Sequence, residues 1–167
     1  PILDGQLDDP CWSEAAEFTN FFDLDHQVFS TTALTAHAVY DRSWLYIGFR
    51  VRQDAAHRIQ APAAREHDGF VQRDDCVKLY FDPGTGGDCY YLFKVNQLNV
   101  RQERRIVNGN DEMGWNIPWR SAVAVTDEDW TVELAVPFSL LPPWEHLDRA
   151  SFNLLHTRFD PENGKIV

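Results

Sequence analysis

Cysteine and methionine are scarce in this chain: three Cys and a single Met in 167 residues. Cys11, Cys76 and Cys89 form no C-x-x-C pair and have no histidine at ligand spacing. Neither a zinc site nor a dithiol redox motif is expected, and the odd count leaves at least one thiol unpaired. The six histidines, His26, His37, His57, His67, His146 and His156, are scattered without H-x-E or H-E-x-x-H spacing and read as structural or solvent-facing. No apolar run approaches the roughly 20 residues of a membrane helix, so no membrane insertion is expected. Basic side chains are few, 15 against 26 acidic ones. The net charge of −11 repels phosphate backbones and argues against a nucleic-acid partner. There is no nucleophile elbow, and "DPGTGGD" lacks the Lys-Ser/Thr ending of a phosphate-binding loop. A signal-peptide pattern is missing as well, and the opening "PILDGQLDDPCW" reads as the start of a processed or excised segment.

What is present is apolar alternation. A hydrophobic share of 44%, with 13% aromatic, is enough to offset the entropy of ordering, and the length fits one domain spanning 1–167. Period-two patterns predict strands over 33–41, 44–51, 76–81, 89–96, 98–106, 121–126, 130–138 and 151–159. Leu45, Ile47, Phe49 and Val51 share one face of the second strand. Only "SEAAE" near Ser13 and "FSLL" near Phe138 suggest short helical turns. Polar stretches at 52–72 and 107–119 read as long loops, the usual carriers of function. The fold class expected is all-β, an antiparallel, jelly-roll-like β-sandwich.

Six stretches, "LDGQLDDPCW", "YDRSWLYIGFRV", "RDDCVKLYFDP", "YYLFKVNQLN", "WTVELAVPFSLL" and "FNLLHTRFDPENGK", follow one another in this order. In that order they resemble the carbohydrate-binding modules of family 9 over nearly the whole chain. The resemblance implies a noncatalytic β-sandwich that binds an oligosaccharide or polysaccharide in the context of polysaccharide degradation. It also implies an extracytoplasmic location, a fused catalytic domain in a longer chain, a further C-terminal segment beyond Val167, and in some relatives a structural calcium.

Strand parity then selects a surface. If Val77, Leu79 and Phe81 point inward, Cys76, Lys78 and Tyr80 point outward; if Tyr91, Phe93 and Val95 point inward, Lys94 and Asn96 emerge. A hairpin turn at "PGTGG" brings Lys78 and Lys94 onto one surface. Neither lysine is expected to be buried. The resemblance places the sugar site on this face, with an acidic residue usual at Lys78, an arginine at Lys94, Asn96 matching as it stands, an aromatic where Gln72 stands and a glutamine where Leu155 stands. The expected contacts are Lys78, Lys94 and Asn96 as polar groups, Gln72 as a rim hydrogen bond and Trp115 in the second long loop as a stacking surface. The alternative for Trp115 is a cap on the end of the sandwich. Trp12, Trp44, Trp119 and Trp130 read as packing residues. Two cations on the face favour an acidic or sulfated glycan.

Other chemistry fits less well. Asp74, Asp75, Asp82 and Asp88 have the composition of a glycosidase acid pair but sit around a hairpin turn instead of flanking a cleft. No EF-hand spacing assigns calcium ligands. A haem b electron-transfer domain of related sandwich fold would need Met113 as an axial ligand. A purely structural domain of a larger secreted enzyme is the remaining alternative.

Overall fold

The computed structural model describes residues 1–24, 27–29, 34–52, 71–112, 114–141, 150–160 and 165–166. Within them run a helical turn α1 (Pro10–Ser13) and strands β1 (Ala16–Phe18), β2 (Phe22–Asp23), β3 (Val28–Phe29), β4 (Leu34–Tyr40), β5 (Trp44–Arg52), β6 (Cys76–Asp82), β7 (Cys89–Asn96), β8 (Arg101–Val107), β9 (Asn110–Asp111), β10 (Arg120–Val125), β11 (Asp129–Pro137), β12 (Ser151–Thr157), β13 (Phe159–Asp160) and β14 (Lys165–Ile166). Two 3-10 turns lie at Val71–Arg73 and Phe138–Leu140.

Each long strand has one apolar row, and burying both rows at once requires two sheets face to face. The first sheet has the order β1-β4-β5-β11-β10, the second β12-β6-β7-β8-β9, and all neighbours within them are antiparallel. Leu45, Ile47, Phe49, Val132, Leu134 and Val136 from the first sheet join Val77, Leu79, Phe81, Tyr91, Phe93 and Val95 from the second in one core. The expected sandwich, the hairpin turning at "PGTGG" and the parity of β6 and β7 are therefore present.

Local expectations fail where side chains override periodicity. The strand expected over 98–106 begins only at Arg101. The residues before it form a turn, with Asn99 at φ +59 and the Asn96 carbonyl oxygen accepting from Asn99 N. The helical turn expected around "SEAAE" sits earlier, at Pro10–Ser13, where proline fits the first position of a helix. Ala16 and Glu17 pair instead with Ala38 and His37 in β4. The long loop expected at 52–72 lies mostly outside the described residues.

The opening segment covers the outer face of the first sheet. There Glu133 is fully buried: Oε2 accepts from Asp4 N at 2.9 Å and Gly5 N at 2.8 Å, and Oε1 accepts from Trp12 Nε1 at 3.0 Å. Burial pushes the Glu133 carboxyl up, and donation from Gly5, Asp4 and Trp12 opposes it. Thr131 Oγ1 donates to Gly5 O at 2.5 Å. Gly5 has φ +88, and a Cβ there would lie 2.5 Å from Ala124 N, so only glycine allows the approach. Gly48 likewise admits Leu7, whose Cδ2 would lie 2.6 Å from an added Cβ.

Candidate functional site

On the outer face of the second sheet, register fixes which side chains meet. Leu155, Lys78, Lys94 and Gln102 form one row across β12, β6, β7 and β8. Asn153, Tyr80, Leu92 and Arg104 form the next. Thr157, Cys76 and Asn96 form the row on the other side.

Lys78 and Lys94 are direct cross-strand partners, on one face as parity requires. Lys78 is half-buried, but Lys94 is only 4% exposed, which corrects the expectation that neither is buried. Its Nζ donates to Gln102 Oε1 at 3.0 Å, so the ammonium is held against the sheet by its β8 neighbour. Burial lowers the Lys94 pKa to about 8, with Arg104 and Lys78 acting in the same direction and Cys76 and Asp111 opposing. Arg104 Nη1 in turn pairs with Asp111 Oδ2.

Asn96 is fully buried and structural, a second correction. Its Nδ2 donates to Asp74 Oδ2 at 2.7 Å, and its Oδ1 accepts from Leu98 N at 3.0 Å and Val100 N at 2.9 Å. These bonds clamp the turn between β7 and β8, so its amide is committed to the fold. Val71, Cys76 and Val100 make a small apolar cluster at this end. Burial pushes the Cys76 thiol up, and its Sγ lies 3.1 Å from Thr157 Oγ1.

Trp115 takes the capping alternative. It is half-buried against Tyr91 and Phe93, with ring centroids 5.1 and 6.3 Å away. Those two rings point into the core, so Trp115 lies on the opposite side of the sheet from Lys94 and offers no stacking surface beside it. Trp119 is buried, as expected, and its Nε1 donates to Glu103 Oε2 at 3.0 Å. Gln72 lies in the 3-10 turn Val71–Arg73. Its side chain is outside what the structure describes, as is Met113, on which haem ligation would depend.

Among the described residues, the aromatic groups on the lysine face are Tyr80 and Tyr90. Both are half-buried, and their ring centroids are 6.3 Å apart. Burial pushes the Tyr80 phenol up, and Tyr90 adds to the effect. The signal for them was available, since the alternation that sends Lys78 and Lys94 outward sends Tyr80 and Tyr90 with them. Arg104 follows by the same argument through β8. Among the described residues no group of three or more His, Cys, Asp or Glu is gathered to hold a metal ion.

This architecture has known relatives. A family model described as "Carbohydrate family 9 binding domain-like" matches residues 2–164. The chain belongs to this family. The family 9 modules are noncatalytic binding domains, so membership speaks against hydrolysis by this domain itself. Among solved structures, a carbohydrate binding module of family 9 from Caldicellulosiruptor kristjanssonii in complex with cellotriose is similar at 13% identity. The alignment covers 100% of this chain and 76% of that one, with a TM-score of 0.65. The same organism's family 9 module in complex with glucose is also 13% identical, covering 99% and 78% with a TM-score of 0.66. At this identity the likeness is one of fold. No curated protein matches the chain.

Proposed function

We propose that this family 9 domain is a noncatalytic module that binds a glycan on the outer face of its second sheet, with preference for uronate or sulfated residues. The observation that carries the reading is the clustering of Lys78, Lys94 and Arg104 across three adjacent strands, beside the Tyr80–Tyr90 pair, in a chain of net charge −11. Half-buried phenol rings supply apolar area for the C–H face of a pyranose, and cations at the edge favour an anionic substituent. The neighbours in complex with cellotriose and glucose support oligosaccharides as the ligand class. We infer, from the resemblance alone, a role in polysaccharide degradation, outside the cytoplasm and beside a catalytic domain.

A glycan array comparing neutral, uronate and sulfated oligosaccharides tests this, followed by calorimetry with and without a calcium chelator. Tighter binding of the anionic set, weakened by Lys78→Ala, is expected. Neutral oligosaccharides outcompeting uronates would reject the charge preference. No glycan binding at all would leave a structural domain.

A further inference from the structure

A cleft of about 590 Å³ opens on the other side of the sandwich at the β10 edge of the first sheet. This volume falls in the range of small-molecule sites. Trp44 and Tyr46, two residues apart on β5, form its aromatic wall, and both are half-buried. Arg120 reaches them from β10, in register with Ala135 and through it with Tyr46. Its guanidinium carbon sits 5.5 Å from the Trp44 ring centroid. Arg120 is exposed and, among the described residues, its side chain has no hydrogen bond or ion pair beyond that ring contact. In so acidic a chain, an arginine held over an indole with no carboxylate partner among the described residues is free to meet an anion.

The opposite wall is preorganised. The turn clamped by Asn96 presents Asn99, whose Oδ1 accepts from Ser121 Oγ at 2.6 Å and whose Nδ2 donates to Ser121 O at 3.3 Å. Arg101 adds a second positive group, fixed by donation to Trp119 O at 2.7 Å. Asp41 accepts from Tyr46 OH at 3.2 Å and is not part of the lining. Aromatic wall, guanidinium and a fixed amide–hydroxyl pair match the faces of one chemical class: a pyranose ring carrying a carboxylate. We propose that this cleft is a binding site for a uronic-acid residue, its carboxylate on Arg120, its ring against Tyr46 and Trp44, and its hydroxyls toward Asn99 and Ser121.

The inference does not depend on the lysine face, and the test separates the two. The full chain is titrated with glucuronate, with glucose and with inorganic sulfate while the indole and backbone N–H resonances are followed by NMR. Glucuronate is expected to shift the Trp44 Nε1–H, Asn99 and Ser121 signals in the millimolar range, and Arg120→Gln to weaken that response about tenfold. Since Arg120 is exposed, the variant should keep its fold, which the unshifted core resonances report. Equal shifts with sulfate would reduce the site to an anion contact and overturn the sugar assignment. Glucuronate shifts confined to the Lys78 and Tyr80 region, or a response at Trp44 unchanged by Arg120→Gln, would overturn it too.

Discussion

The Trp12 indole and the Glu133 carboxylate meet at 3.0 Å across 121 residues of chain, inside a pocket that the opening segment closes over β11. Because Asp4 N and Gly5 N donate to the other carboxylate oxygen, one side chain fastens the whole segment to the first sheet. Removing a partner of a buried charged group leaves the desolvation cost without its compensation. Glu133→Gln and Trp12→Phe should each lower unfolding free energy by about 2 kcal/mol, and the double variant by less than the sum. Urea titrations of the four proteins check this; additive losses would mean the pair is not coupled.

Gly5→Ala should be at least as damaging as either. The new Cβ meets backbone atoms of Val123 and Ala124, and the positive φ disfavours any L side chain. Proteolysis of the opening segment in the folded variant, at protease levels that leave the parent intact, is the expected signature.

Asn96→Ala should act on stability. The substitution leaves Asp74 Oδ2 without its Nδ2 donor and frees Leu98 N and Val100 N, a loss of about 2–3 kcal/mol. A variant as stable as the parent but weaker in glycan binding would restore Asn96 as a contact residue.

Lys94 gives a pH dependence whose sign is fixed. Its ammonium titrates near 8 in the fold against 10.5 when free, so between these values the unfolded chain holds the extra proton. Stability contributed by this group therefore rises as pH increases through that window. Lys94→Met should be more stable than the parent near about pH 7, with its advantage shrinking towards about pH 10 as the parent sheds the buried charge. Comparing variant with parent cancels the tyrosines and thiols. Constant differences across the range would contradict the shift. If the bound glycan is anionic, its affinity for the parent should also decline above about pH 8, as the charge that attracts it is lost.

On the candidate face, Lys78→Ala should weaken a uronate oligosaccharide about tenfold and Tyr80→Ala by a similar factor. Trp115→Leu should cost about 1–2 kcal/mol of stability and leave the affinity unchanged, since its ring packs on Tyr91 and Phe93 beneath the sheet. Calorimetry and urea unfolding on the same samples separate the two effects.

Much of this arrangement was legible from alternation alone, because a strand's side-chain parity is a local property. Val77, Leu79 and Phe81 against Tyr91, Phe93 and Val95 fix the inner side of β6 and β7, and the short glycine-rich loop sets the register that puts Lys78 opposite Lys94. What parity cannot deliver is depth. Whether an outward lysine meets water depends on the next strand, and Gln102 settles that for Lys94. Asn96 departs from its expected contact role because that role is decided by Asp74, 22 residues away, and by a turn whose donors lie at Leu98 and Val100. The two- and three-residue strands, such as β1 and β9, are too short to carry a period. Tyr80 and Tyr90 follow from the same alternation that sends Lys78 and Lys94 outward, whereas Trp115 stands in a loop where no period applies.

Two lysines on directly paired positions of neighbouring strands give this sheet an unusual response to its surroundings. Dissolved salt weakens most proteins' surface ion pairs, but here it would relieve a repulsion between neighbours. The sheet should grip harder in brine than in dilute buffer, and harder again once an occupying anion does locally what the dissolved ions do from a distance.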